Sequence, residues 1–287
     1  MQGLYKVVGV SRQGFFDNEV RDVEHRLIAD QILDWVKNLR IDHPRMGARK
    51  VYVKLKKTPE YKNYLQKIGR DKLEMILLNN NLRIRTVKSF IKTTIRGAFI
   101  FKNLLQDGIK TFVPTAINQV WVSDLTYYIV VQNGRVVHYY ITLIMDLFSR
   151  EGIGFAVSQT MITEDTTLVA LNRAFKYRNI QSKEKLPNLI FHSDGGGQFS
   201  DKEFLRLLAQ HEIKSSMGKQ AYENPNAERF NGILKNEYLL PWEVNSLSQL
   251  VLRTPMAIKL YNTQRPHKSL NYATPLEFMQ NQNCLTL

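Results

Sequence analysis

The sequence predicts a mixed α/β core preceded by a basic helical region. Three observations carry that prediction. Residues 119–131, QVWVSDLTYYIVV, and 135–145, RVVHYYITLIM, are β-branched and aromatic, and Asn133-Gly134 between them is a strong hairpin signal. From 164 onward the pattern alternates helix, strand, helix, strand, helix. The charge is also segregated. Residues 1–115 hold 23 Lys and Arg against 11 Asp and Glu, whereas 116–287 hold 17 against 15.

That imbalance accounts for most of the formal charge of +14 over 287 residues. Excess charge confined to one part of a chain implies a polyanion-binding part joined to a different working part. Hydrophobic residues make up 44 %, a globular proportion that excludes a mostly disordered chain. No window approaches 18 uncharged apolar residues, and the first residues carry no apolar signal-peptide core. Cys284 is the only cysteine, which excludes an intrachain disulfide and a cysteine-based zinc cage. The expectation is a soluble cytoplasmic protein whose first partner is nucleic acid, with no membrane role.

Residues 4–16 read as half of a helix-turn-helix, with a turn at Gly9 and a second helix capped by Ser11. Arg12 and Gln13 then stand in its first turn. Residues 19–40 follow a helical period, with Asn18 as N-cap, until HPRMG at 43–47 breaks it. Ala48–Lys57 and Gly69–Asn79 form further helices. Arg49 and Lys50 open a run of nine basic residues that ends at Lys72. The stretch 83–115 has no clear period and reads as a basic arm. The chain therefore divides into a helix-turn-helix-like region at 1–57, a basic helical segment and arm at 58–115, a core at 116–240 and a C-terminal tail at 241–287, turn-rich at 261–279 with one short final helix.

Within the core, strands are expected at 119–131, 135–145 and 151–158, then a helix at 164–178 and a strand at 188–192. A helix at 201–211, a strand at 213–217 and a helix from Pro225 to about Leu239 complete it. Asp124 interrupts an apolar strand, where a carboxylate is costly unless paired or bound to a cation. Asp194 follows the apolar run LIFHS and precedes three glycines, at the strand end where α/β folds place ligands. Glu228 lies in the first turn of the helix after Pro225. Each has an ordinary structural reading alone. Together, a first strand, a later strand end and a following helix can converge, and three carboxylates suit Mg²⁺ or Mn²⁺. Two such ions suit phosphoryl transfer on a phosphodiester.

Other residues are accessory candidates. His192 and Asp194 are two apart and so face the same side of a strand. Asn231 and Lys235 share a helical face with Glu228. Lys235, Arg229 and Lys219 are candidates for DNA phosphates. Glu223 and Glu237 are rival acids of lower rank. Asp146 reads as a turn residue. Arg265, His267 and Lys268 either contact DNA or order the tail.

The segments WVSDLTYY, YYITLIMDLFSREGIGFAVS, HSDGGGQF and YENPNAERFNGILKNEYL resemble the core of the retroviral-integrase-like DDE transposases, in particular the orfB-type product of two-frame bacterial insertion sequences. GVSRQGFF, HPRMGARKVYVKL, the threonines at 93–94 and YNTQRPHKSLNYATPLEFM fit the same resemblance. It implies a ribonuclease-H-like fold with Asp124, Asp194 and Glu228 as the metal-binding triad, two ions when DNA is bound, and a chain that cuts element ends and joins them to a target. It also implies a multimer on double-stranded DNA, fusion to an upstream-frame partner, and association with the nucleoid. The sequence departs from the family in two places. Gly195 and Gly197 stand where Arg or Lys and Ser are usual, and 33 rather than 35 residues separate Asp194 from Glu228. Two rival functions remain: a nuclease of the same fold that never joins, and a DNA-binding regulator or inactive remnant.

Overall fold

The computed structural model describes residues 11–62, 65, 68–84, 101–107, 110–219 and 223–285. It divides into two compact units, 1–86 and 87–287. The Gly9 turn, the helix before it and the threonines at 93–94 lie outside the described residues.

The first unit is helical. Helix α1 runs Arg12–Asp42, and the hydroxyl of its N-cap Ser11 accepts a hydrogen bond from the Gly14 N–H. The expected second start at Asn18 is absent. No Pro or Gly interrupts 15–42, so the two expected helices are one, and Asn18 is an interior residue. Helix α2 spans Ala48–Lys57 and α3 Arg70–Asn79. Ile32, Val36, Val51, Leu55, Leu73 and Leu77 close a core between the three. That core uses the second half of α1.

The second unit is built on a five-stranded sheet: β1 Val120–Gln132, β2 Arg135–Asp146, β3 Gly152–Ser158, β4 Ile190–Asp194 and β5 Lys214–Gly218. Their order is β3-β2-β1-β4-β5. The first three are antiparallel, and β4 and β5 run parallel to β1. Asn133 and Gly134 both take positive φ, 50° and 74°, in the tight turn joining Gln132 to Arg135. Helices α4 (Thr167–Tyr177) and α5 (Lys202–Gln210) cover one sheet face. Helices α6 (Pro225–Ile233) and α7 (Leu247–Gln264) cover the other. A last helix, α8, spans Pro275–Leu285. This is the ribonuclease-H-like arrangement.

The side-chain period of two sorts β1 between the faces. Trp121 is fully buried against Ile144, Phe175 and Phe191. Val120, Val122, Tyr128 and Val130 point to the α6 and α7 face. Asp124 stands on that second face, in line with Val122. On the first face, Gly154 allows β3 and α4 to touch backbone to backbone. A Cβ at Gly154 would lie 2.4 Å from the Ala170 carbonyl oxygen, which cannot move aside. Gly154→Ala is expected to cost about 1–3 kcal/mol in urea denaturation. Gly197→Ala, with nothing within 4 Å, should leave the midpoint unchanged.

Two expectations are corrected here. The helix from Pro225 does reach Leu239, but Leu234–Leu239 is π-helical. The C-terminal tail, for which only a turn-rich 261–279 and a short final helix are expected, carries the 18-residue α7, even though Pro255 sits inside it. Burial of Leu250, Ala257, Ile258 and Tyr261 against the sheet outweighs the broken hydrogen bond. Pro255 leaves the carbonyl of Val251 without its helical donor, and exposed Val251 stands where water can supply one.

Candidate active site

β1 and β4 pair Val120 with Ile190 and Val122 with His192. Two residues further along each strand stand Asp124 and Asp194, level with each other on the α6 face. Glu228, in the first turn of α6, completes the set. The three acids act on one another electrostatically. Burial pushes the Asp124 carboxyl up to about 7, and Asp194 and then Glu228 push it the same way. Burial also raises Asp194, opposed by the Gly196 N–H that donates to its Oδ1 at 3.2 Å. Glu228, though its residue stays exposed, is raised by partial desolvation of its carboxyl and by Asp194.

Asp124 has one strong partner. Asn231 Nδ2 donates to Asp124 Oδ2 at 2.7 Å, and this hydrogen bond favours the ionised form. Glu228 and Asn231 are three apart on α6. The first stays exposed near Asp194, and the second is buried on Asp124. The buried Asn231 Oδ1 has no hydrogen-bond partner. Lys235, in the π-helical segment, donates from Nζ to the Tyr127 carbonyl at 2.8 Å and to Thr126 Oγ1 at 3.3 Å. Burial lowers its pKa, and Asp124 opposes that.

His192 is wholly buried and is packed rather than open to a substrate. Its Nε2 lies 3.2 Å from the Glu223 carbonyl, which can only accept, so Nε2 carries the proton. Nδ1 then accepts from Ser216 Oγ at 2.9 Å. Burial pushes this imidazole down to about 4, so it is neutral at physiological pH.

The rival acids have other partners. Glu223 Oε2 accepts from Asn103 Nδ2 at 2.7 Å and from the Lys219 N–H at 3.0 Å. Glu237 forms a two-pronged ion pair with Arg265. Asp146 is the expected turn residue. Its oxygens accept from the backbone of Asn118, Phe148 and Ser149. Arg265 and His267 are buried, so they order the end of the chain.

Of the other basic candidates, Arg229, Lys219 and Arg49 are exposed and Lys50 is half-buried. Gln13 is exposed, and the Arg12 side chain lies outside the described set. Two contacts escaped the sequence reading. Asn224, just ahead of α6, donates from Nδ2 to the Ser123 carbonyl at 2.8 Å. Arg150 Nη1 donates to Asn226 Oδ1 at 2.6 Å from a left-handed backbone, φ 62°. Only the left-handed position of a non-glycine residue sets Arg150 apart, and that is invisible in sequence.

Among the described residues, no three His, Cys, Asp or Glu side chains are drawn together tightly enough to form a metal-binding group as they stand. The donor set nevertheless suits a hard divalent cation. It is all carboxylate oxygen, and its mutual repulsion is what a bound cation relieves.

Comparison with known proteins places the chain in a family. One model described as an integrase core domain matches residues 114–222, and a second of the same description matches 209–275. An insertion element IS600 protein of 31 kDa from Shigella sonnei is 30 % identical over 282 residues, covering 96 % of this chain and 97 % of its own. A putative transposase for the insertion sequence IS986/IS6110 of Mycobacterium tuberculosis is 28 % identical over 80 % of both chains. The putative transposase InsK of IS150 from Escherichia coli is 31 % identical over 61 % of this chain and 58 % of its own. Among solved structures, the catalytic core of HTLV-2 integrase in complex with magnesium matches with a TM-score of 0.42 at 21 % identity, over 56 % of this chain and 95 % of that one. With a relative matched along nearly its whole length and an integrase core spanning the sheet and α7, the chain belongs to the insertion-sequence transposases that carry an integrase core domain.

Proposed function

We propose that the chain cuts DNA at the ends of an insertion element and joins the released ends to a target. The observation that carries this is the facing of Asp124, Asp194 and Glu228, with Asp194 raising the proton affinity of both others and Glu228 that of Asp124. Asp124 and Asp194 would hold a first Mg²⁺ or Mn²⁺, and Glu228 would complete a second position. When bound, such ions activate an attacking oxygen and stabilise a leaving one.

The chain's own groups prepare that chemistry. Asn231 fixes one Asp124 oxygen and favours its ionised form. The Gly196 N–H does the same for Asp194. Cleavage is an in-line attack by water on the phosphodiester that frees a 3′-OH. Joining is the attack of that hydroxyl on a second phosphodiester, which releases a new 3′-OH in the target. Neither step needs a covalent protein intermediate.

Arg12, Gln13, Arg49 and Lys50 in the basic first unit, with Lys219, Arg229 and Lys235 around the acids, are the proposed DNA contacts. Lys235 would exchange the Tyr127 carbonyl for a phosphate. Pairing two DNA ends calls for a homo-multimer, and an upstream-frame partner fused to the chain would contribute to end recognition. Cytoplasmic activity on nucleoid DNA follows from the same reading. No helix among the described residues is long and apolar enough to cross a membrane.

The test is strand transfer on a labelled oligonucleotide carrying the element end, with the chain alone and fused to its upstream partner. Wild type should give joined product with Mg²⁺ or Mn²⁺ and none with chelator. Glu228→Gln and Asp194→Asn should bind DNA equally but lose at least about 10³-fold in joining, the range seen when charge stabilisation of the transition state is removed. Nicking without joining would instead select the nuclease. Binding with no metal-dependent chemistry in the fusion would select the regulator.

A further inference from the structure

The run YNTQRPH at 261–267 is absorbed by neither the acids nor the proposed DNA contacts, although it is nearly all buried. It meets the helix that carries Glu228. Tyr261, in α7, packs its ring against Phe230 at a 52° tilt, with ring centroids 4.7 Å apart. Phe230 is two residues past Glu228 and 1 % exposed. On its other side stands Gly152, where a Cβ would come within 2.5 Å of the Phe230 ring. Phe230 is therefore wedged between the start of β3 and Tyr261. Asn262 holds that wedge closed. Its Oδ1 accepts from the Gly152 N–H and its Nδ2 donates to the Gly152 carbonyl, both at 2.9 Å.

Four residues after Tyr261, Arg265 grips the same helix further along. Nε and Nη2 donate to the two Glu237 oxygens at 2.8 and 2.7 Å. The pair is shielded from water, with the two side chains 6 % and 21 % exposed. Glu237 lies in the π-helical segment, whose wider turn aims residues differently from an α-helix. The first turn of α6 is tied at its start by Asn224 on the Ser123 carbonyl and by Arg150 on Asn226. Its N-cap residue Asn224 makes no side-chain cap, and Glu228 and Arg229 are exposed.

We infer that Tyr261 and Arg265 are positioning residues for Glu228, seating the acid-bearing helix through Phe230 and Glu237. The inference rests on the reading of Glu228 as the third acid. Neither residue touches substrate. They act by holding a helix whose first turn must present a carboxylate to within a fraction of an ångström. A displacement of about 1 Å at a reacting group costs roughly 10²-fold in rate.

The experiment uses the full chain, fused to its partner if the fusion is required for joining. Glu237→Gln keeps the shape and loses the charge. Arg265→Lys keeps the charge and loses the fork. Each should bind the DNA end within about twofold of wild type. Each should lose about 10- to 100-fold in strand-transfer rate at saturating DNA, and need more Mn²⁺ for half-maximal rate. Arg265→Lys should retain more rate than Arg265→Gln.

A role confined to folding would lower the yield of folded protein without changing the rate per DNA-bound molecule. That result overturns the inference. Glu228→Gln is run beside them. If it joins DNA normally, the reading of the site fails and takes the inference with it. If it is inactive while both folded variants keep the wild-type rate, only the inference fails. Should the variants not fold, hydrogen exchange on wild type decides. The amides of 229–239 and 259–265 should open together. Exchange at 229–239 more than about tenfold faster than at 259–265 overturns the inference.

Discussion

Asp124→Asn should abolish strand transfer and, in chelator at pH 8, make the protein more stable. Burial and the facing acids hold the Asp124 carboxyl up to about 7, against 3.8 as its ordinary value. A carboxyl whose pKa is raised on folding keeps its proton in the folded chain while the unfolded chain has released it. Its contribution to stability is full below about pH 4 and is lost as pH rises through 7. At 1.36 kcal/mol per unit, the loss is on the order of 4 kcal/mol, shared with Asp194 and Glu228. Asparagine carries no charge, keeps the shape and still offers Asn231 an oxygen. The difference in melting temperature between variant and wild type should be near zero at pH 4 and largest at pH 8. Mg²⁺ should raise the wild-type midpoint and leave that of the variant nearly unmoved. A variant that melts below wild type at pH 8 in chelator would show that Asp124 is not held against its charge.

Such a trade-off is expected where function sets the residue type: a local rule is broken at the site and the loss is made up elsewhere. It also explains how much of the site was legible. Asp124 stood out because a carboxylate in QVWVSDLTYYIVV contradicts the strand around it. Asp194 stood out because strand ends before glycines are where ligands bind. The three antiparallel strands were legible from local signals, the Asn133-Gly134 turn and period-two alternation, but the parallel docking of β4 beside β1 is a long-range pairing that no local signal gives. Helix α7 was not legible either. Pro255 and a run of polar residues argue locally against a helix, and only long-range burial against β2 and β3 answers them. Asn18 failed in the opposite sense, since a good capping residue does nothing where the helix is already running. His192 shared a face with Asp194 as expected. Whether it met solvent or Ser216 depended on β5, a strand 24 residues away.

The largest loss of stability is expected from Arg178→Met. Arg178 Nη2 lies 2.8 Å from Glu151 Oε2 and 3.6 Å from Asp146 Oδ2. Both acids are buried, at 4 % and 0 % exposure. Tyr177 Oη donates to Glu151 at 2.9 Å, and the backbone supplies Asp146 with donors. Those hydrogen bonds do not replace a positive charge. Removing the cation from a buried pair costs about 3–5 kcal/mol, because the remaining charge has no compensation. For a unit of this size that is a fall of roughly 10 °C in melting temperature. Glu151→Leu with Arg178→Met should recover part of the loss, since an apolar pair of similar volume leaves only Asp146, which its backbone donors hold. A single variant as stable as wild type would mean that water reaches Glu151. The consequence extends to the acids. Asp146 and Glu151 bracket the turn that holds Arg150, and Arg150 reaches Asn226 at the start of α6. Loosening that turn frees the helix end next to Glu228. At temperatures where Arg178→Met is still folded, its joining rate should fall before its DNA affinity does.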